Sequence, residues 1–341
     1  MRLQELGEWE LLQRLSAFAP AGQWDDDAAL LTEQSGKTLV VNTDLLVEGV
    51  HFSETTVPPQ ELGWRAAAAN LSDLAAMGCS SVVGLTVGLV APGETSWSWV
   101  EGVYQGLSEA LGHFGGCLLG GDCSSGAQRL LAITALGHVG DGPIRRGDGR
   151  PGDWLVCSGP HGLSRLGLAL LLGEVNPQER ELLPPALQTE AMRAHQRPQP
   201  RFDVVRQLSA TRPDHAAWRV AGTDSSDGLQ LAIANIARTS GCAATIERQA
   251  LPMAPDFTRL ASAERWCLSG GEDFELVLAL EPSWAEALCT AMPDCTRLGW
   301  LVEGAAGTLS WADSGTTLDS DKAGYCHFQS KSRPEGRPDD C

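Results

Sequence analysis

Acidic side chains in six short segments are the feature of this sequence best suited to chemistry. The segments are residues 25–27 (DDD), 42–44 (NTD), 71–73 (LSD), 121–122 (GD), 224–228 (DSSDG) and 270–273 (GGED). All but the third fall in a predicted loop or at a predicted strand end, beside Gly, Ser or Thr. Oxygen ligands without His or Cys partners favour Mg²⁺ or Ca²⁺, and glycines let a backbone approach a phosphate closely. If the segments converge, they form a multi-metal site for polyphosphates.

Single segments also have purely structural interpretations. Asp227 precedes an apolar helical run and is placed to cap it. Residues 159–162 (GPHG) fit an anion site at a helix N-terminus or a tight strand-to-helix connection equally well. Residues 35–38 (SGKT) form a hairpin turn and not a P-loop, because Leu31 stands where the earlier glycine is required. The number of acidic segments, and their repeated position after apolar strands, favours the metal interpretation for the set.

Composition narrows the classes of partner. The chain of 341 residues has 43 Asp and Glu against 25 Lys and Arg, a net charge of −18, so a nucleic-acid or anionic-membrane partner is disfavoured. With 43% hydrophobic residues and no apolar run near 20 residues, we expect a soluble globular protein. The ten cysteines are scattered without a CxxC pair and are predicted to be free thiols in a reducing compartment. We therefore expect a cytoplasmic protein.

The elements that must position the acidic segments follow from periodicity. An amphipathic helix is predicted from Leu3 to Phe18, and a strand over 38–47 delivers Thr43 and Asp44 at or near its end. Helices are predicted over 61–78 and 97–115, strands over 81–90 and 130–139, and a turn at 120–122. In the second half, helices over 163–172 and 229–239 alternate with strands at 154–158, before 224 and at 274–280.

Glycines and charges over 140–152 mark a boundary between two α/β halves of similar rhythm. We place an N-terminal domain for metal and nucleotide binding and dimerisation at 1–148, and a C-terminal α/β domain at 149–328. Residues 329–341 lack apolar content and are predicted to be a disordered tail.

Several motifs, read together, resemble the thiamine-monophosphate kinases, whose superfamily also holds aminoimidazole ribonucleotide synthetase and selenophosphate synthetase. They are residues 24–31 (WDDDAALL), 42–52 (NTDLLVEGVHF), 70–78 (NLSDLAAMG), 118–122 (LLGGD), 145–154 (RRGDGRPGDW), 223–229 (TDSSDGL) and 270–276 (GGEDFEL). The resemblance implies an α+β protein of PurM-like type. Its N-terminal halves would form a dimeric β-barrel, and its C-terminal half would close the nucleotide cleft. It implies ATP- and Mg²⁺-dependent phosphorylation of thiamine monophosphate to thiamine diphosphate.

The resemblance also implies roles for individual residues. The implied magnesium ligands are Asp27, Asn42 (through its backbone carbonyl), Thr43, Asp44, Asp73, Asp122, Asp224 and Asp227. The implied nucleotide contacts are Tyr104, Gly121, Asp122, Arg146 and Ser226, and those to the thiamine phosphate are His51, Glu272 and Tyr325. Asp73, Asp122, Arg146 and Asp227 are the implied catalytic residues. The chain departs from the family pattern at Asp25, Cys123 and Lys322.

The residues fit this reaction chemically. The nucleophile is a substrate phosphate oxygen that is already ionised at pH 7, so no general base is required. The reaction needs charge neutralisation, which Mg²⁺ and Arg146 can supply. Two alternatives stay open at this point: another ATP-dependent enzyme of the superfamily, and a catalytically inactive homologue that binds nucleotide or metal. Asp25 and Cys123 would be early signs of such a loss.

Overall fold

The computed structural model describes residues 1–6, 8–19 and 36–319. The predicted site residues Asp27 and Tyr325, the departures Asp25 and Lys322, and the predicted tail at 329–341 lie outside these ranges. The chain begins with two short helices, α1 (Leu3–Leu6) and α2 (Glu8–Leu15), and a 3₁₀ turn (Ser16–Phe18). The predicted helix from Leu3 to Phe18 is thus observed as helical segments whose last three residues form a 3₁₀ turn, and Gly7 lies outside the described residues.

The N-terminal half is one sheet covered on one face by two helices. Its elements are β1 (Leu39–Val47), α3 (Pro59–Ala76), β2 (Cys79–Ala91), α4 (Trp97–Phe114), β3 (Cys117–Ser125) and β4 (Leu130–Val139). The strand order is β1-β4-β2-β3, with β2 and β3 parallel and the other pairs antiparallel. Helix α3 packs on β1, β4 and β2 and against α4. Its Ala-rich sequence keeps the helix close to the sheet.

The opposite face of this sheet, which we call the open face, is apolar and exposed. Along β1, Leu39, Val41 and Leu45 alternate with covered residues, and Val41 and Leu45 are 64% and 53% exposed. Side chains two apart in a strand share a face, so this pattern defines a stripe of unburied apolar surface. Within residues 36–319 the sheet stays four-stranded and does not close into a barrel.

The C-terminal half is a mixed six-stranded sheet with helices around it. Its elements are β5 (Trp154–Cys157), α5 (Leu163–Leu172), α6 (Pro177–Glu181), α7 (Pro185–Gln196), α8 (Phe202–Thr211), β6 (Ala221–Asp224), α9 (Leu229–Thr239), β7 (Ala243–Ile246), α10 (Ala263–Ser269), β8 (Leu276–Leu280), α11 (Pro282–Ala291), β9 (Thr296–Val302) and β10 (Leu309–Trp311). The strand order is β10-β7-β9-β5-β8-β6. The two halves thus share the α+β character that the motifs imply.

One hydrophobic core joins the two halves. Leu71 of α3 and Leu107 of α4 belong to the same buried cluster as Val156, Leu278 and Trp284 of the C-terminal half. A second cluster fills the other face of the six-stranded sheet. The C-terminal sheet is therefore covered on both faces, and the N-terminal sheet on only one.

Two predicted boundaries are corrected by the structure. Asn42, Thr43 and Asp44 lie in the middle of β1, not at its end. Strand β3 runs straight through Gly121 and Asp122, where a turn was predicted. A Cβ at Gly121 would stand 2.0 Å from the carbonyl oxygen of Val87, so only glycine allows β3 to approach β2 here. The glycine permits close strand pairing where the sequence suggested a turn.

No helix in the described ranges is both long enough and apolar enough to cross a bilayer.

Candidate functional site

Helix α3 presents the first half of the site. Asn70 and Asp73 lie on its side that faces β1, and Asn70 Oδ1 accepts a hydrogen bond from the backbone N–H of Asp44 at 3.1 Å. Asn42 Nδ2 donates to Asp73 Oδ2 at 2.8 Å. These contacts attach the helix to the centre of β1. They bring Asn42, Asp44 and Asp73 together, as the sequence motifs predict.

The second half of the site comes from the end of β6. Asp224 is 7% exposed, and its two carboxylate oxygens accept hydrogen bonds from Ser72 Oγ at 2.8 Å and Ser226 Oγ at 3.1 Å. Ser72 belongs to α3, so this bond crosses from one half of the chain to the other. Helix α9 begins after Gly228 and has no side-chain cap, so the capping alternative for Asp227 gains no support.

Asp44, Asp73, Asp224 and Asp227, which we call the acidic cluster, influence one another electrostatically. Burial, with the neighbouring charges of Asp224 and Asp44, raises the pKa of Asp73 to about 7. Burial and the charge of Asp227 raise the pKa of Asp44. Burial also raises the pKa of Asp224, against its two serine hydrogen bonds. Carboxylates held close together with little neighbouring positive charge bind protons more tightly, because each ionised group repels the next.

Arg146 is a cation whose charge acts on this cluster. Its Nε donates to Thr223 Oγ1 at 3.1 Å, and its charge acts on both Asp73 and Asp224. The guanidinium is anchored at one nitrogen and otherwise exposed. The rest of its donor fork is available to a phosphate.

The donor set suits a hard cation. It consists of oxygens alone, and the buried Oδ1 of Asn42 has no hydrogen-bond partner. Such an orphaned acceptor beside carboxylates is a ready ligand for Mg²⁺. In the ranges that the structure covers, however, no three His, Cys, Asp or Glu side chains are close enough to enclose a metal ion by themselves. The geometry fits an ion that the protein and a phosphate ligand hold jointly.

Asp122 stands apart from the acidic cluster. Asp122 pairs with Gly88, Gly88 pairs with Ala132, and Ala132 pairs with Leu45 of the open face. Paired residues on neighbouring strands project from the same face of a sheet. Asp122 is therefore on the open face, whereas Asp44 is on the face that α3 covers. Three strand spacings, about 14 Å, also separate the strands that carry them.

The other implied metal and nucleotide residues also lie outside the acidic cluster. Thr43 is on the open face, where its Oγ1 is 2.8 Å from Thr134 Oγ1. Gly121 is exposed on β3. Tyr104 is 1% exposed, with its ring centroid 5.7 Å from that of Phe18, so a nucleotide cannot reach its ring in this conformation. Burial raises its pKa above the ordinary range.

The implied substrate residues His51 and Glu272 are close enough for the charge of His51 to influence Glu272. His51 Nδ1 accepts from the backbone N–H of Val47 at 3.0 Å, just after β1. Glu272 has a left-handed φ of 60° and is bound by Arg65 of α3. Burial opposes its ionisation, but Arg65 and His195 lower the pKa of Glu272 below its ordinary value.

The N-terminus of α5, which follows the GPHG segment, is hydrogen-bonded to a carboxylate of the same chain. The backbone N–H groups of Gly162 and Ser164 donate to the two oxygens of Asp273 at 2.8 and 3.0 Å. Burial nevertheless raises the pKa of Asp273 to about 7. The structural interpretation of this segment is therefore favoured over an anion site.

Sequence reasoning missed two residues of α3. Ser72 lies inside a quoted motif, but only its contact with Asp224, 152 residues away, gives it a role. Arg65 lies in an Ala-rich stretch with no motif of its own, yet it is 2% exposed and donates to both Glu272 and the carbonyl of His195. The only feature of the sequence that could have pointed to Arg65 is that it is a basic residue on an apolar helix.

Comparison with known proteins matches both halves of the chain. Residues 25–139 match the AIR synthase related protein N-terminal domain, and residues 150–312 its C-terminal domain. The thiamine-monophosphate kinase of Prochlorococcus marinus is 48% identical over 96% of this chain and 97% of that protein. The enzyme of Synechococcus elongatus is 47% identical over 96% and 98%.

Solved structures agree with the sequence matches. A thiamine-monophosphate kinase from Stenotrophomonas maltophilia has a TM-score of 0.75 at 30% identity, covering 90% of this chain and 96% of that one. A structure described as AaThiL complexed with AMPPCP and TMP has a TM-score of 0.74 at 28% identity, covering 96% and 99%. The hydrogenase maturation protein HypE shares the fold at 19% identity. By these matches the chain belongs to the AIR synthase related family and, within it, to the thiamine-monophosphate kinases.

Proposed function

We propose that this protein transfers the γ-phosphoryl group of ATP to the phosphate of thiamine monophosphate, giving thiamine diphosphate and ADP. The observation that carries the proposal is the acidic cluster, which both halves of the chain build and in which the pKa of Asp73 is raised to about 7. It occurs in a chain 48% identical to a thiamine-monophosphate kinase. The comparisons lend nothing to a different superfamily reaction or an inactive homologue.

Mg²⁺ is the cation that the oxygen donors of this cluster suit best. It would be held by Asp44, Asp73, Asp224 and Asp227, with Oδ1 of Asn42 as a further oxygen donor. The motifs add Asp27, which lies outside the described residues. When bound, Mg²⁺ neutralises phosphate charge and stabilises charge on the transferring group. The protein itself orients the carboxylates through Asn70, Ser72 and Ser226.

The remaining groups act on the two phosphates directly. The attacking oxygen of the thiamine phosphate is ionised at pH 7, so no proton needs to be removed from it. Arg146 has free donors beside the cluster and would clamp the phosphates of ATP. Ser226 and Gly121 are further nucleotide contacts, and Tyr104 would need to leave its buried site to become one. His51, Glu272 and Tyr325 form the thiamine-phosphate side.

A homodimer explains the residues on the open face. A stripe of Val41 and Leu45 exposed by more than half would be covered if a second copy packed its own sheet against it, forming the shared barrel. Asp122 and Thr43, which share that face, would then lie against the partner. In this arrangement Asp122 acts at the composite site, and the C-terminal half closes the nucleotide cleft.

Val41→Glu tests the dimer. It should convert the protein to a monomer in sedimentation analysis, because it buries a charge in the apolar interface. Leu172→Glu, at a position 47% exposed on α5, is the matched control and should leave the dimer intact. A wild-type monomer at micromolar concentration would refute this arrangement.

The function is tested by incubating the protein with ATP, Mg²⁺ and thiamine monophosphate and separating the products by chromatography. We expect equal amounts of thiamine diphosphate and ADP, and no product with EDTA. ATP binding without thiamine diphosphate would indicate another superfamily substrate, and neither binding nor turnover would indicate an inactive protein. A cytoplasmic location would supply the ATP that the reaction needs.

A further inference from the structure

A buried chain of polar groups lies directly behind the loop that carries Asp224 and Asp227. His161 and Ser225 are both 0% exposed, and His161 Nε2 is 2.8 Å from Ser225 Oγ. On its other side, His161 Nδ1 is 3.1 Å from the carbonyl oxygen of Gly159. No step of the proposed reaction uses this histidine. Buried polar groups are costly unless they are fully hydrogen-bonded, so the role of this chain has to be explained.

Only one tautomer gives every hydrogen of this chain a partner. Glu275 donates its backbone N–H to Ser225 Oγ at 3.2 Å, so the hydroxyl hydrogen must find another acceptor. His161 Nε2 provides it if the ring proton is on Nδ1, where it is donated to Gly159. With the proton on Nε2, the hydroxyl hydrogen would be left without an acceptor among these groups. His161 is therefore an acceptor from Ser225.

Ser225 in turn fixes the turn on which the acidic residues stand. Its backbone N–H donates to the carbonyl of Glu275 at 2.9 Å, and its carbonyl accepts from the N–H of Gly228 at 2.9 Å. Asp224 and Asp227 flank these anchored atoms. A rotation of Ser225 would turn both carboxylates, because they lie within two residues of it.

We propose that His161 is a positioning residue for the kinase site: by accepting the hydroxyl hydrogen of Ser225, it holds the turn at 224–228 so that Asp224 and Asp227 face the cleft. The inference rests on the proposed function, because it assigns those carboxylates to the phosphates and their Mg²⁺. It gives the GPHG segment a task beyond connecting β5 to α5. Partners behind a metal ligand typically change metal affinity by 10- to 100-fold when removed.

The imidazole is suited to this task at physiological pH. Burial lowers the pKa of His161 to about 4, so the ring stays neutral. A protonated ring would donate from both nitrogens and could not accept from Ser225. Cys157, 3.3 Å from Nδ1, is likewise neutral because burial raises its pKa.

The test uses two ways of removing one hydrogen bond and one way of keeping it. His161→Leu removes the acceptor, Ser225→Ala removes the donor, and His161→Gln retains an acceptor. We expect the first two to raise the half-saturating Mg²⁺ concentration about tenfold, with a smaller change in kcat. The double variant should be no worse than His161→Leu alone, and His161→Gln should restore most of the affinity. Ser225→Ala decides the matter if His161→Leu does not fold.

Hydrogen–deuterium exchange supplies a readout that needs no activity. In both deletion variants the amides at 225–228 should exchange faster, while those of α7 stay unchanged. Unchanged exchange at the turn, or faster exchange throughout the C-terminal sheet with an unchanged Mg²⁺ requirement, would overturn the proposal. If the wild-type protein makes no thiamine diphosphate, the proposed function fails, and the exchange at 225–228 still decides whether His161 holds the turn.

Discussion

Two charged regions lie between the halves of this protein, and they are built on opposite principles. In the acidic cluster, carboxylates face one another, and the pKa of Asp73 rises to about 7. In the second region, the buried guanidinium of Arg65 contacts Glu272 and the carbonyl of His195, and the pKa of Glu272 falls. We call Arg65, His195 and Glu272 the Arg65 network.

This difference in charge balance indicates which region needs cations from outside the chain. The Arg65 network has its countercharge within the chain, so it holds the halves together and fixes Glu272 on the proposed thiamine-phosphate side. The acidic cluster carries four carboxylates near one arginine, a balance that cations from solution can complete. Both regions start from α3, so one helix serves structure at one end and chemistry at the other.

Asp73→Asn should have the largest effect. Removing a carboxylate proposed to hold Mg²⁺ at the phosphates should lower kcat by about 1000-fold, comparable to losing a principal electrostatic contact in other enzymes. The melting temperature should not fall, because the substitution also removes repulsion within the cluster. Asp294→Asn, at an exposed site outside the cluster, is the control. A turnover within twofold of wild type would exclude Asp73 from the site.

Arg65→Met should chiefly reduce stability. It leaves Glu272 without its countercharge, and breaking a buried ion pair from one side costs about 3–5 kcal/mol. We expect the low end of that range, because the Glu272 side chain is 36% exposed. Urea unfolding measures the change. The double variant with Glu272→Gln should be more stable than Arg65→Met; additive losses would show that the two residues do not act as a pair.

Acid should weaken the Arg65 network through His195. Burial and the charge of Arg65 lower the pKa of His195 to about 3, against 6.5 when unfolded. Below pH 6.5 the unfolded chain therefore takes up a proton that the folded protein refuses. The contribution of His195 to the free energy of unfolding is therefore fully present above pH 6.5 and is lost as the pH decreases toward 3. At pH 5 the free energy of unfolding should be lower by about 2 kcal/mol.

His195→Gln separates this effect from other acid effects. The groups facing the ring are Arg65, Glu272, Arg165 and Ser164, and glutamine keeps a polar partner for the serine. Unfolding curves at pH 7 and pH 5 should show a smaller acid loss in the variant. An equal loss in both proteins would show that His195 titrates normally.

Mg²⁺ added in the presence of a fixed concentration of ATP should have the smallest effect and should act on one region only. At ten times its dissociation constant, an ion that binds only the folded protein adds about 1.4 kcal/mol. The melting temperature should rise in the wild type and in Arg65→Met, but not in Asp73→Asn. NaCl at matched ionic strength is the control. An equal rise in Asp73→Asn would place the ion elsewhere.

Local sequence was informative wherever local forces decide the structure. The helices Leu163–Leu172 and Leu229–Thr239 were predicted at their observed bounds, since their apolar period and flanking glycines are local signals. The site motifs likewise indicated that Asn42, Asp44 and Asp73 belong together, and their hydrogen bonds agree.

What the sequence did not reveal depends on contacts between distant segments. Arg65 and Glu272 are 207 residues apart, and no local pattern predicts their pairing. The run through Gly121 and Asp122 was predicted as a turn because both residue types disfavour strands. Only the close approach of Val87 explains why glycine is needed there. The placement of Asp122 on the open face followed from register, which single-sequence patterns do not define.

Helix α3 has a consequence for how this protein can change in evolution. Arg65, Asn70, Ser72 and Asp73 lie within nine consecutive positions of one helix. Asn70 and Asp73 contact β1, Ser72 contacts the end of β6, and Arg65 contacts Glu272. Inserting one residue among them would rotate all later side chains by about 100° and shift them about 1.5 Å along the axis. Such an insertion would misplace Asp73 relative to Arg65 at a stroke. The length of this segment is thus constrained together with the identity of its four contact residues.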